Sequence, residues 1–432
     1  MTQQPLPTRT EEISPTRKST PWSRYEGAVL GFRNYWYPGM LSRHLRRKPV
    51  AVQLLGEKLV FVRSQGKCYA LENRCPHRGV PLSFGTCEFP GTHTITCRYH
   101  GWTFDLSDGL CVAAITDGPD SSIVGKVRVS SYPVEERKGL IWVFIGDRQP
   151  PPFEEDVPED ILDEKAVLGI RVTRRIGNWR LAAENGLDAS HAAYLHRNAW
   201  LTVFRRFPAY KTNVLPEISN RSVGYTQGPS VLAGEYPALG RWPQNEQQWW
   251  KNPRKRPTVS ALHLPGFLRV DPFPTPGIVH FEWYVPSDER HHHYFQISVK
   301  KTTALNAWRF RLAYWLWWRW LGHVDFNGQD AEMVQLMDPF YSEEGGWGRE
   351  RLFRPDVVLT QEEHRGSDSR MGLTPAQSLN RSHGLDGRRI GDARVQRHPG
   401  CAGEKLDAGG RGSRERSEAG CSFQRYLCRS RA

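Results

Sequence analysis

Cys75-Pro76-His77 and Cys97-Arg98-Tyr99-His100 decide the reading of this 432-residue chain. Each pair holds one thiol and one imidazole, and nineteen residues, 78–96, lie between the pairs. Zinc sites of two cysteines and two histidines usually keep the cysteines apart from the histidines along the chain. Mixed pairs suit a [2Fe–2S] centre instead, in which two thiolates hold one iron and two imidazoles the other, raising the reduction potential. Cys75, His77, Cys97 and His100 are therefore the expected ligands of a Rieske-type cluster. Arg78-Gly79-Val80-Pro81-Leu82 and Gly101-Trp102-Thr103-Phe104 follow the pairs and supply tight turns close to the ligands.

Short strand-like runs flank these pairs at 50–55, 59–62, 68–71, 94–97 and 139–145, separated by Gly, Pro and charged turns, so residues 32–148 read as a small all-β domain. Gln149-Pro150-Pro151-Pro152 marks a break. Residues 153–356 mix strand-like runs at 278–285 and 294–299 with helical runs at 179–196 and 305–321. The expected class is α+β, with helices on one side of an antiparallel sheet in this second domain. Residues 1–31 form a polar arm. All sixteen tryptophans lie before position 348, and the Arg/Gly/Ser-rich stretch 357–432 reads as a disordered tail.

The net charge of +13 fits nucleic acid, a membrane surface or an acidic protein partner; the basic clusters Arg46-Arg47-Lys48 and Arg254-Lys255-Arg256 read first as solvated faces, which an acidic electron-delivering protein would also favour. The N-terminus has no apolar core, two of the eight cysteines are taken by the cluster, and the rest show no pairing pattern; a cytoplasmic protein with reduced thiols is expected. Residues 305–321 are rich in tryptophan but broken by Arg309, Arg311 and Arg319, which disfavours a membrane span. Leu305, Trp308, Leu312, Trp315 and Leu316 fall at helical spacing and predict the buried face of a core helix.

A second metal site explains where the electrons go. His191 and His196 follow Glu184-Asn185-Gly186-Leu187-Asp188 and stand five apart, so on a regular helix they point about 140° away from each other. They can share one ion if the helix bends or loosens between them. Two histidines and one carboxylate make the facial triad of non-haem Fe(II) oxygenases, which leaves positions open for dioxygen. Asp330 is the best candidate for the carboxylate, with Asp325, Glu332 and Asp338 as rivals. His291-His292-His293 cannot converge on one ion, because neighbours on a strand point to opposite faces, and they are expected at a surface or interface.

With both sites in view, residues 30–356 resemble the Rieske non-haem iron oxygenases, the terminal components of aromatic-ring-hydroxylating dioxygenases. The stretches that carry the resemblance, beyond the metal motifs, are Phe32 to Pro38, Glu184 to His191, Leu264-Pro265-Gly266, Asp271-Pro272-Phe273-Pro274, Phe281 to Pro286 and Asp325-Phe326-Asn327. The resemblance implies a helix-grip-like catalytic domain and a homotrimer in which the cluster of one protomer faces the mononuclear iron of its neighbour. It implies that Asp188 bridges His100 of one subunit and His191 of the next. It also implies electrons from NADH by way of a separate reductase and ferredoxin; the chain itself has no G-x-G-x-x-G fingerprint between a strand and a helix. Both atoms of O₂ would be added to an aromatic or carbazole-like heteroaromatic ring, with Gly186, Glu282 and Phe326 against the substrate. Two other readings remain: a monooxygenase or oxidative demethylase with the same metal sites, and a Rieske electron carrier without catalysis.

Overall fold

The computed structural model describes residues 28–188, 190–205, 214–218, 221–227, 235–236, 240–241 and 259–351. Most of the N-terminal arm, the basic cluster at 254–256 and the tail lie outside the described residues.

The N-terminal part is built from three small antiparallel sheets. Leu140–Ile145, all six residues buried, runs between Tyr35–Leu41 and Val134–Arg137. Val50–Leu54, Glu57–Ser64, Lys67–Glu72 and Ser131–Tyr132 form the second sheet. Its Glu57–Ser64/Lys67–Glu72 hairpin closes through Gln65 and Gly66, both at positive φ (48° and 83°), a two-residue turn whose twist matches that of the strands it joins. Thr94–Thr96, Trp102–Asp105 and Cys111–Ala114 make the third sheet.

The second part is a seven-stranded antiparallel sheet in the order Ala166–Ile176, His291–Lys301, Val279–Asp288, Phe267–Asp271, Val259–His263, Ser222–Gln227, Val214–Ile218. Helices Trp179–Leu187 and Asn327–Ser342 pack against it and against each other. This is the expected α+β class. The Pro-rich stretch at 149–152 is packed: the Trp36 indole donates to Pro151 O, and Phe153 stands edge-on to Trp36 and Trp142. One apolar core spans both parts, with Trp142 and Trp283 edge to face at 5.5 Å.

Three expectations need correction. The run at 305–321 is helical, as Ala304–Ala313 followed by a wider π-helical stretch Tyr314–Phe326, but its inner face is Ala307, Phe310, Tyr314 and Leu321. Leu305, Trp308, Leu312, Trp315 and Leu316 are exposed in the single chain, because apolar spacing does not say which of two apolar faces meets the sheet. The run at 179–196 is interrupted: helix Trp179–Leu187 stops at Asp188, and a new turn begins at His191–Tyr194 and continues as 3₁₀ helix Leu195–Asn198. The three consecutive histidines do alternate, but His292 is buried with Nδ1 2.9 Å from Gly177 O, and His293 Nε2 reaches Gln53 O of the N-terminal part at 3.1 Å.

Glu136 ties the first two N-terminal sheets together. Arg63 donates to both of its oxygens at 2.7 and 2.9 Å, and Ser42 and Cys68 donate as well. The Arg63 hydrogen bonds hold its carboxyl down at about 2, so the stabilisation is complete above the ordinary glutamate range and is lost as pH falls towards 2. Because the pair is partly exposed, Glu136→Gln is expected to lower Tm by about 1–3 °C at pH 7. Melting curves should show this gap narrowing between pH 5 and pH 3; a gap that does not change with pH would assign it to packing instead.

Candidate metal centres and the chamber beside them

The two Cys/His loops are built alike. The Cys75 carbonyl accepts from Gly79 N at 2.8 Å, and the Cys75 N–H donates to Val80 O at 2.9 Å. In the second loop Cys97 O accepts from Gly101 N at 3.0 Å and Cys97 N–H donates to Trp102 O at 2.7 Å. Gly79 and Gly101 sit at φ 75° and 69°, where a side chain would be strained. Both thiols are buried, whereas His77 is exposed and His100 half-buried, their rings 4.5 Å apart. Burial pushes the Cys75 thiol up to about 11, and Cys97 lies against it. His100 Nδ1 is buried without a hydrogen-bond partner, and Trp102 stacks on His77 at 4.9 Å. Two sulfurs inside and two imidazoles outside, with an unused ring nitrogen, fit a two-iron unit with one iron on each side.

The helix break brings the second set together. Asp188 ends the first helix, and its Oδ1 accepts from the N–H and hydroxyl of Ser190, both at 2.7 Å. That turn re-aims His191, and the tighter 3₁₀ turn that follows swings His196 towards it, so the two rings lie 5.2 Å apart at 74°. Asp330, in the first turn of Asn327–Ser342, places Oδ1 3.1 Å from Nε2 of each histidine. Donor atoms of all three side chains lie within 4.8 Å of one another. His196 Nε2 is buried and makes no hydrogen bond despite that proximity, as expected of a lone pair aimed at a point the three groups share. Burial alone would lower the His191 pKa, but Asp188 and Asp330 push it up to about 10; burial would raise that of Asp330, but His196 and His191 hold the carboxyl well below its usual range. An ionised carboxylate between two imidazoles is a donor set for a divalent cation, which takes the place of the proton on His191. The rivals are elsewhere: Asp325 accepts from Trp200 N, Asp338 pairs with Arg290, and Glu332 is exposed.

Comparison with known proteins gives this pairing of sites a family. Residues 35–133 match the Rieske [2Fe-2S] domain, and residues 144–209 and 230–367 match the family described as homotrimeric ring hydroxylase. The terminal oxygenase component of carbazole 1,9a-dioxygenase from a Sphingomonas sp is 38% identical over 372 residues, covering 84% of this chain and 98% of that protein. This chain belongs to the Rieske ring-hydroxylating oxygenases. Among solved structures, the terminal oxygenase of carbazole 1,9a-dioxygenase from Nocardioides aromaticivorans IC177 gives a TM-score of 0.66 at 32% identity, covering 78% of this chain and 94% of that one. The oxygenase in a reduced complex with ferredoxin of carbazole 1,9a-dioxygenase gives 0.65 at 31% identity, covering 78% and 91%. As a Rieske oxygenase the chain is an enzyme of a family that pairs a [2Fe–2S] cluster with a mononuclear iron.

Around the histidines, the oxygenase fold shows partners that the sequence did not single out. Gln329 Oε1 lies 3.2 Å from His196 Nδ1, and Asn185 Nδ2 donates to Asp330 Oδ1 at 3.1 Å. Both stand beside or inside quoted motifs, and a search for amides next to the ligands would have found them. Phe326, expected against the substrate, stacks on His196 at 3.6 Å. Gly186 and Asp330 line one small cavity with Glu282 and Tyr284. Glu282, expected against the substrate, is buried, and His280, Tyr284 and Asn327 all hydrogen-bond to it. A methyl group on Gly186 would overlap the Tyr284 hydroxyl and press on Leu268. Gly186→Ala is therefore expected to cost about 1–3 kcal/mol by overpacking and to lower the fraction of chains holding the mononuclear metal. Denaturant unfolding and metal analysis check this, and wild-type values in both would remove the packing argument.

Proposed function

We propose that this oxygenase is the terminal component of a multicomponent dioxygenase that adds both atoms of O₂ to an aromatic or carbazole-like heteroaromatic ring. The observation that carries the reading is the convergence of His191, His196 and Asp330, with an orphaned Nε2, in a chain that also has a Rieske domain. Cys75, His77, Cys97 and His100 would hold the [2Fe–2S] cluster; His191, His196 and Asp330 would hold Fe(II). The cluster supplies electrons one at a time, and a ferrous ion held by two imidazoles and a carboxylate supplies open positions for dioxygen beside the substrate.

The chain's own residues arrange the rest. Gln329 fixes the ring orientation of His196 through Nδ1, and Asn185 steadies the Asp330 carboxylate. Phe326 and Phe273, 5.2 Å apart, give the site an aromatic wall that excludes water and suits a flat ring. Asp188 Oδ2 lies 3.6 Å from His191 Nδ1, wider than a hydrogen bond, and its other oxygen is held by Ser190. In the homotrimer this family forms, Asp188 would complete a bridge from His191 to His100 of the neighbouring subunit and fix the ring tautomers along an electron path.

Electrons would come from NADH through a reductase and a ferredoxin; the relatives solved as oxygenase–ferredoxin complexes support such a partner, and the +13 charge suits an acidic one. No helix among the described residues is long and apolar enough to cross a membrane, and a cytoplasmic location is part of the proposal.

Iron analysis of the loaded protein should find three irons per chain, two in the cluster and one mononuclear. His191→Ala should keep the visible spectrum of the cluster, fall to about two irons and form no product. Asp188→Asn should keep all three irons and lose about 10–100-fold in NADH-coupled turnover, as for other carboxylates behind a ligating imidazole. Product formed under ¹⁸O₂ should carry two labelled atoms; one labelled atom would replace dioxygenation by monooxygenation.

A further inference from the structure

The helical segment Ala304–Phe326 is apolar on two sides, and among the described residues only one of them is covered. Ala307, Phe310, Tyr314 and Leu321 face inward: the Tyr314 ring lies where Gly169 of strand Ala166–Ile176 has no side chain, and Leu321 packs with Phe273 and Leu201. Leu305, Trp308, Leu312, Trp315, Leu316 and Trp317 point away from the sheet and leave 50–78% of their surface exposed. Trp320 and Val324 continue this outer row, which runs along about 25–30 Å of helix. Single exposed apolar residues are ordinary, but a contiguous row of large ones marks a surface that meets something else. A helix that is apolar on both sides needs a second apolar neighbour.

The charges along the row decide what kind of neighbour fits. From 304 to 324 the chain has three arginines, Arg309, Arg311 and Arg319, and no aspartate or glutamate. Arg309 and Arg311 are exposed and Arg319 is half-buried, and none of the three forms an ion pair among the described residues. The guanidinium of Arg309 lies 5.7 Å from the centre of the Trp308 ring, and that of Arg319 lies 5.2 Å from Trp315, so the positive groups stand at the apolar row itself. A two-fold contact of this helix with its own copy would set arginine against arginine, and like charges across an interface are costly. An anionic lipid surface meets both demands. Its acyl boundary takes up leucine side chains and indole rings, tryptophan N–H groups favour the headgroup level, and lipid phosphates accept from guanidinium.

We propose that Ala304–Phe326 docks this protein on the surface of an anionic phospholipid bilayer. The segment lies in the plane of the headgroups, with the row from Leu305 to Val324 sunk into the acyl boundary and Arg309, Arg311 and Arg319 against lipid phosphates. It does not cross the bilayer: its inner side stays on the sheet, and no helix among the described residues is long and apolar enough to span. At its far end the same segment carries Phe326, which stacks on His196, so docking would hold the metal site close to the phase in which apolar aromatic compounds collect. Lipid binding does not depend on the reaction catalysed, and product formation is a separate readout.

Co-sedimentation with vesicles tests the docking on the full-length, iron-loaded protein. Wild type is expected to bind phosphatidylcholine vesicles that contain phosphatidylglycerol at least about 10-fold more tightly than phosphatidylcholine alone at low salt, and to lose most of that difference as salt rises. Leu312→Glu/Trp315→Glu/Leu316→Glu changes exposed side chains only; it should keep the visible absorbance of the cluster and bind both kinds of vesicle at least about 10-fold more weakly. Arg309→Gln/Arg311→Gln should bind neutral vesicles as wild type does and bring the anionic-to-neutral ratio to within about threefold. Trp315→Glu alone replaces the triple variant if the latter loses the cluster absorbance. Wild type that stays in solution with both kinds of vesicle overturns the proposal, and a triple variant that then forms a smaller assembly by light scattering gives the face to a second copy of this chain. Equal binding of wild type to the two kinds of vesicle, or binding unmoved in the folded triple variant, also overturns it.

Discussion

Asp330 Oδ1 lies 3.1 Å from Nε2 of both His191 and His196, and the carboxylate is largely buried between them. A charge in that position is costly unless it is paired and hydrogen-bonded. The neighbouring structure meets that demand: Asn185 donates to the same oxygen from helix Trp179–Leu187, and the two imidazoles arrive from a turn that exists only because the helix stops at Asp188. Helix packing follows from the same constraint. Trp179–Leu187 and Asn327–Ser342 must lie close enough for Asn185 to reach Asp330, and Gly186, next to Asn185, has no side chain to hold them away from Tyr284 of the sheet.

The sheet beneath divides its two faces between stability and chemistry. Phe281, Trp283 and Val285 join Tyr35, Phe61 and Trp142 in one core, so the cluster domain and the catalytic domain are packed together as a unit. The alternate residues form the hydrogen-bonded layer that reaches Asn327 and, through its helix, Asp330. The period of two along a strand permits this: a single strand can be buried on both sides yet turn Phe281, Trp283 and Val285 to one neighbour and His280, Glu282 and Tyr284 to the other. A buried polar layer is stable only when nearly every group in it is satisfied.

Much of this was legible in the sequence. The two Cys/His pairs announced a cluster because their ligand types and order are unusual, and closely spaced turns with glycine could be foreseen beside them. His191 and His196 could be paired through the chemistry of a triad, although their spacing forbids a regular helix, and Asp330 could be chosen from four acids. The failures share a cause. The Leu305 to Leu316 stripe has helical period, but Ala307, Phe310 and Tyr314 have it too, and periodicity cannot rank two apolar faces. The place of Glu282 in a motif likewise does not show that His280 and Tyr284 on its own strand and Asn327 on a distant helix hydrogen-bond to it. Partners brought together by the sheet and the helices leave no local signature in the chain.

The proposed electron path can be argued from what each half lacks. His100 is half-buried: its buried, unpaired Nδ1 faces the expected cluster, so any contact across subunits falls to the rest of the ring, and its neighbour Tyr99 is exposed. Asp188 is also partly exposed: one oxygen is tied to Ser190, while the other stands too far from His191 Nδ1 for a hydrogen bond. Burial would raise the Asp188 carboxyl, but His191 and Ser190 hold it down, so it stays an acceptor. An accessible carboxylate behind one expected metal ligand and an accessible edge of another are complementary, since the first accepts and the second can donate. Joining them across a protomer boundary would satisfy both, and it would couple delivery of electrons to assembly of the oligomer.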